Sequence, residues 1–389
     1  MKNFSKTTII SLGLVIAVLA VFGAYFYRDG FFAGKGAPEL KFQKDAKDNI
    51  VKFGYFFGGR IHVVYRAYIN NYFDNENIGV RLYTQWLRED DWYEVPQNHE
   101  EMREITQMVT PEGGDISGIV REFGKVTGIK IIEAMDQGLF AGGTPGESSF
   151  IYQVTKGSPI VAVALLGHDD KDRPGKSIVV RQGLTINSPE DFKGKTFISR
   201  RAGPGDAIWL KEFIKSIGLD PKKDVTIMDQ TPDDLQTEYL RTGKADAALL
   251  HMHGVPQIEA AGIAYMYRGM DWMNPELSHA LLVFRKDFIE EYPQKVQAVV
   301  DAYVKRVAYE DTLSEEEKHK PGDFGIQIAH HYKGLSLPIF DLPPLVRVDL
   351  LEEMQRLMLE YGYIDELVDL NDFIDNSFVK NSMINYEEL

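Results

Sequence analysis

Chemistry in this chain concentrates at one turn, Arg200-Arg201-Ala202-Gly203-Pro204-Gly205-Asp206, set between a short apolar run and a stretch of helical spacing. Backbone N–H groups at a helix start lack intrahelical partners and carry partial positive charge. Gly203 and Gly205 let the backbone come close to a ligand, and Arg200 and Arg201 could add charge-assisted hydrogen bonds. Neighbours on an extended chain point to opposite sides, so one of the two arginines enters a cleft and the other is a solvated charge. Asp206 reads either as a contact or as an N-cap for a helix starting at Ala207.

Three further loops share the pattern of strand, small-residue turn and helix. Tyr55-Phe56-Phe57-Gly58-Gly59-Arg60 offers aromatic faces and a guanidinium that could pair with an acid, although Tyr55 and Phe56 could equally pack under the next helix. Gly142-Gly143-Thr144-Pro145-Gly146-Glu147 offers backbone donors and the Thr144 hydroxyl, with a plain strand-to-helix connection as the bland alternative. Glu147 would suit a cationic group or simply complement a helix N-terminus. In His251-Met252-His253, neutral imidazoles could hydrogen-bond a ligand. A metal needs more ligands than one short pair supplies. Trp86 could line a cleft or a core, and His330-His331 reads as structural.

Composition narrows the function classes. There are no cysteines, which excludes disulfides, thiolate metal sites and cysteine nucleophiles. A formal net charge of −15, from 58 acids against 43 bases, argues against nucleic-acid binding. No Ser/His/Asp spacing, phosphate-cradling loop or metalloprotease helix is present, so no enzyme activity, cofactor or metal is expected.

The elements that must position these loops alternate between strand and helix. Strands are expected at 50–57, 80–87, 139–141, 160–166, 177–181, 196–199, 225–228, 247–250 and 280–284. Helices are expected at 62–72, from about 144, and at 207–217, 232–241 and 345–361. The first strand, helix and strand form a βαβ unit, which favours a parallel α/β sheet. In such sheets ligands bind at the carboxyl ends of the strands. Residues 88–135 carry a charged insertion. At the N-terminus, Lys2 and Lys6 precede a nearly uncharged stretch over 7–27. That is long enough for a membrane-spanning anchor, with a cleaved signal as the alternative. Lysines inside would leave the body extracytoplasmic.

The order and spacing of several short motifs resemble the solute-binding proteins of ABC importers in the sulfonate, nitrate, taurine and thiamine-precursor group. These are the lead-in Ser188-Pro189-Glu190-Asp191-Phe192-Lys193-Gly194-Lys195, the arginine turn, Gly218-Leu219-Asp220, Gly243-Lys244-Ala245-Asp246-Ala247-Ala248, and Lys156-Gly157-Ser158-Pro159. His251-Met252-His253-Gly254 stands where many relatives carry Trp-Glu-Pro. The resemblance implies a two-lobed α/β fold of the type II periplasmic-binding-protein kind, with a central ligand cleft and the N-terminal anchor ahead of it.

Its layout would be an anchor or signal over 1–28, a linker over 29–49, a first lobe over 50–183 and a second over 184–268. Residues 269–389 would return to lobe one and finish in helices. Implied partners are a small solute, oxyanion-bearing or heteroaromatic, and the permease and ATPase subunits of an importer. The membrane is reached through the anchor, and no nucleic acid is implied. Fungal pyrimidine synthases resemble the family too but depend on a cysteine-rich segment that this chain lacks. A membrane-tethered sensor or scaffold built on the same lobes is the alternative.

Overall fold

A computed structural model describes residues 48–56, 59–85, 91–98, 101, 126–200, 203–231, 233–318 and 337–387. The expected anchor, most of the linker, and Trp86, Arg201 and His330-His331 lie outside the described residues, as does most of the insertion. All described residues belong to one unit, Lys41–Leu389. No helix among them is long and apolar enough to cross a membrane.

The first sheet has six strands in the order β3-β2-β1-β4-β11-β5. These are β1 (Ile50–Gly54), β2 (Gly79–Thr84), β3 (Tyr93–Glu94), β4 (Gly142–Gly143), β5 (Ile160–His168) and β11 (His279–Arg285). The second sheet has five in the order β10-β6-β9-β7-β8. These are β6 (Lys176–Arg181), β7 (Thr196–Arg200), β8 (Thr226–Thr231), β9 (Ala247–His251) and β10 (Ala264–Gly269). The expectation of parallel sheets holds only in part. β1 is parallel to β2 and β4, and β7 to β8 and β9, but β11 runs antiparallel to β4 and β5, and β6 to β9 and β10. β3 also runs antiparallel, to β2, at the sheet's edge. β6 and β11 are the strands that follow the two chain crossings between sheets, and each enters its new sheet against the local direction.

The helices used below are α1 (His62–Ile69), α2 (Gly128–Asp136), α3 (Glu147–Thr155), α4 (Pro204–Ser216), α5 (Asp233–Thr242), α6 (Val255–Ala260), α7 (Pro293–Thr312), α8 (Val348–Glu360) and α9 (Ser377–Glu387). Helix α8 shows how sequence sets orientation. Leu350, Leu351, Met354 and Met358 are buried at helical spacing, while Glu352, Glu353, Arg356 and Glu360 face water. Its buried stripe packs on α3.

Two of the motifs behind the resemblance hold the second sheet together. Asp191 closes a capping box with Ser188, accepting from the backbone N–H of Asn187 (2.8 Å) and Ser188 (2.9 Å). That turn drives Phe192 into the core, 5.2 Å from the Phe197 ring and edge-on to Phe213 and Tyr267. Asp246 accepts from the Thr196 N–H (3.0 Å) and from Arg181 (3.0 Å), tying β6, β7 and β9 at one edge. One continuous apolar cluster runs from Ile131 and Phe150 through Trp209 and Phe213 to Leu281 and Leu351, so the two sheets share a core.

Candidate functional site

The carboxyl ends of β1 and β4 and those of β7 and β9 meet at a buried polar cluster between the sheets. Both chain crossings pass through it. Asp169 and Lys176 flank the first, and Ser278 ends the second, with the Asp169 N–H donating to the Ser278 carbonyl (3.1 Å). The close approach depends on Gly175, because a Cβ there would lie 2.1 Å from the Asp169 carboxylate.

From the first sheet come Arg60, Glu147 and Ser278. Arg60 donates to the Ser278 hydroxyl (2.6 Å) and the His279 carbonyl (3.5 Å), and its guanidinium lies 3.8 Å from Glu147. From the second come Lys176, Arg200, Asp206 and His251. Lys176 Nζ donates to the same Ser278 hydroxyl, stands 3.9 Å from Asp169 and sits over the Trp209 ring at 5.1 Å. Asp206 accepts from Arg200 (3.1 Å) and faces His251 Nε2 at 3.4 Å. The N-terminal turns of α3 and α4 also abut. A Cβ at Gly205 would come within 2.7 Å of the Ser148 hydroxyl and 3.5 Å of Glu147 Oε1.

The electrostatics follow from burial and from these neighbours. Glu147 is almost wholly buried, which pushes its carboxyl up despite the opposing pull of Arg60 and Lys176. Burial holds the Lys176 ammonium down, and the Arg60 charge adds to that. Burial alone would raise Asp206, but Arg200 and His251 overturn it and hold the carboxyl well below its ordinary value. His251 is lowered to about 3 by burial and by Arg200, so its ring is neutral at physiological pH and donates through Nε2 to Asp206. Burial likewise lowers His279 to about 3.

The cluster draws together Arg60, Arg200, Asp206 and His251 of the residues expected from sequence, with Glu147 beside them. Gly203 supplies a positive φ of 111° just before α4. Gly143, Thr144 and Pro145 form the frame. The Thr144 N–H donates to the Gly54 carbonyl (3.2 Å), and the Pro145 carbonyl accepts from Leu281 (2.9 Å). Tyr55 is 1% exposed and its ring stands 6.4 Å from that of Tyr65, which is a core position, while Phe56 is half-buried at the core's edge. Asp206 is not the N-cap of its helix. The helix starts earlier, at Pro204, because proline's fixed φ suits the first turn, and Gly203 is the N-cap. Arg201 and the His253 side chain lie outside the described residues.

Lys176, Asp169, Ser278 and His279 were not singled out in the sequence. A signal existed for Lys176, since a lysine opening the strand Lys-Ser-Ile-Val-Val-Arg must be buried once both faces of that strand are covered. The other three depend on how two crossings 100 residues apart meet, which no local pattern reveals.

Residues 129–317 match the family model NMT1/THI5 like. The resemblance drawn from the lead-in, arginine-turn and Asp246 motifs is thereby borne out. The NMT1/THI5-like segment contains both crossings and every charged group of the cluster except Arg60.

Solved structures agree on the fold. The putative sulfonate ABC transporter periplasmic sulfonate-binding protein SsuA of Methylobacillus flagellatus KT aligns with a TM-score of 0.58 at 18% identity, covering 87% of this chain and 94% of that one. The periplasmic nitrate-binding protein NrtA of Synechocystis PCC 6803 aligns with a TM-score of 0.59 at 12% identity, covering 87% and 89%. A mutant of the enzyme DSZB in complex with biphenyl-2-sulfinic acid aligns with a TM-score of 0.51 at 13% identity, covering 86% and 99%. The architecture therefore serves binding proteins and an enzyme alike. No curated protein sequence matches the chain.

Proposed function

We propose that this chain is the extracytoplasmic solute-binding component of an ABC importer. It would capture a small solute, oxyanion-bearing or heteroaromatic, between its two sheets and pass it to a permease, with the N-terminal apolar stretch serving as membrane anchor or signal. The observation that carries the reading is the buried polar cluster itself. Strand-end loops of both sheets and both crossings converge there, on the fold of named sulfonate- and nitrate-binding proteins. Binding would act by stabilising the approach of the sheets, since a ligand held from both sides favours the closed arrangement by its extra contacts there. The chain's lack of cysteine removes a thiolate nucleophile.

The test is thermal unfolding of the protein against sulfonates, nitrate, carboxylates, pyrimidines, flavins and small amines. A ligand at about 100 times its Kd stabilises by roughly 2.7 kcal/mol, which raises the midpoint by several degrees. A saturable shift that Arg60→Ala or Lys176→Ala abolishes supports capture at the cluster. A flat response to every class would remove the proposal.

A further inference from the structure

We infer that the cleft takes a small organic cation with N–H donors, such as a primary ammonium or an amidinium, and that Glu147 and His279 accept its hydrogen bonds. The inference rests on the reading of the cluster as the solute site and replaces the oxyanion option of that reading with a cation.

Three observations carry it. First, the seats that would suit an anion are already taken by the chain's own carboxylates. Helix N-termini attract anions, yet both helix starts that face the cleft carry an acid in the first turn, Glu147 in α3 and Asp206 in α4. Asp206 is satisfied by Arg200 and His251. Among the described residues the cations Arg60, Lys176 and Arg200 stand against the carboxylates Glu147, Asp169 and Asp206, so these six groups are formally balanced and a simple oxyanion would add negative charge to them.

Second, Glu147 has spare acceptor capacity. It is 5% exposed, its carboxyl accepts from its own backbone N–H at the start of α3, and Arg60 at 3.8 Å stands beyond hydrogen-bond range. A carboxylate has about four acceptor sites, so one backbone N–H leaves room for a ligand's donors.

Third, buried polar atoms on adjoining backbone lack partners among the described residues, and at least one is an acceptor. The neutral His279 ring uses Nδ1–H toward the Glu276 carbonyl (3.0 Å), so Nε2 carries a lone pair, and that atom is buried with no hydrogen-bond partner among the described residues. The Thr144 hydroxyl, three residues before Glu147, is likewise buried without a partner among them. These groups sit on adjoining backbone, since Gly146 bridges to Ala280 beside His279. Two acceptors with spare capacity and a hydroxyl match a donor-rich ligand.

The experiment is calorimetric titration of the full-length protein with benzamidine and with propylamine, and with ethanesulfonate and nitrate at matched ionic strength. Saturable binding of an amine or amidine probe, weakened at least tenfold by Glu147→Gln and measurably by the near-isosteric Thr144→Val, is the expected result. Circular dichroism and the unfolding midpoint of each variant check that it folds. Saturable binding of ethanesulfonate or nitrate, with the amine probes silent, overturns the cation assignment and leaves the solute-binding reading standing. Silence of all four probes also overturns the assignment, and the capture reading then stands or falls on the wider thermal panel.

Discussion

Helix α4 of the second sheet is tied to the chain just past the end of helix α8 by side-chain contacts, and if the proposed capture works by approach of the two halves, removing two hydroxyl groups there should loosen it. Lys211 Nζ donates to the Tyr363 hydroxyl (2.7 Å), and the Tyr361 hydroxyl donates to Glu212 (2.5 Å). The Tyr361 ring also lies under Lys215 at 4.6 Å and the Tyr363 ring under Lys211 at 4.6 Å. Because α8 packs on α3, which belongs to the first sheet, these contacts must break if the two halves separate. A hydrogen bond to a charged group is worth ~1.5–3 kcal/mol when buried. These sites are only half-buried and their partners regain water on opening, so about 1 kcal/mol each is the better figure. Tyr361→Phe with Tyr363→Phe should therefore cost about 2 kcal/mol of closure, roughly thirtyfold in the equilibrium. The chain lacks cysteine, so Lys222→Cys and Glu353→Cys would be its only thiols and could carry spin labels on the two halves. The double variant should shift the label distances outward and weaken solute affinity without any change inside the cluster. Unchanged distances and unchanged affinity would show that these contacts do not hold the halves together.

Two other perturbations test the packing beneath the site. Gly205→Ala places a methyl 2.7 Å from the Ser148 hydroxyl and should reduce solute binding at least tenfold. Adding Ser148→Ala removes that oxygen, leaves the remaining contact at 3.4 Å, and should restore much of the affinity. Failure of the rescue would mean that the close approach of α3 and α4 is not what binding requires. Glu310→Gln leaves Arg66 and Arg306 buried without their shared carboxylate and should cost about 3–5 kcal/mol in urea unfolding at pH 7. Burial opposes ionisation of Glu310, but Arg66 and Arg306 outweigh it and depress the carboxyl. Its contribution is thus full above the ordinary value of 4.5 and lost as pH falls through the depressed folded value, so the gap between parent and variant should close in acid and persist at pH 7. A gap that is the same at both extremes would contradict the assignment.

Local periodicity made most of the frame readable in advance. Strands expected at 196–199, 247–250 and 280–284 form as β7, β9 and β11, and helices at 207–217 and 345–361 form as α4 and α8 with ends displaced by one to three residues. Fully apolar runs bounded by Gly, Pro or charge fix an element's place in the chain, but not its direction in a sheet. That is why the antiparallel entry of β6 and β11 escaped the βαβ argument. Strand β10 (Ala-Tyr-Met-Tyr-Arg-Gly) was missed because its faces are mostly half-exposed and its aromatic positions follow no apolar run. The strand expected at 139–141 forms at Gly142–Gly143 instead, where side chains are forbidden. A Cβ at Gly142 would meet the Phe53 ring at 2.5 Å and one at Gly143 would meet Ile131 at 2.4 Å.

The site was legible in its arginines and not in their partners, and the difference has a physical cause. A guanidinium next to glycines is conspicuous in sequence, but whether it is available to a ligand depends on which carboxylates the fold delivers to it. Here Glu147 reaches Arg60 from 87 residues away, and Asp206 turns back on Arg200 within its own loop. The motifs that signal the family do different work. Asp191 and Asp246 spend their carboxylates on backbone N–H groups of the second sheet, and Phe192 is core. Those contacts hold the scaffold whatever the solute. The residues proposed here to set the solute's charge, Glu147, Lys176 and His279, lie outside the lead-in, the arginine turn and the Asp246 motif. Chains that share the scaffold motifs can therefore differ in ligand sign. A preference for oxyanions cannot be carried from one to another until the carboxylates at the two helix starts have been counted.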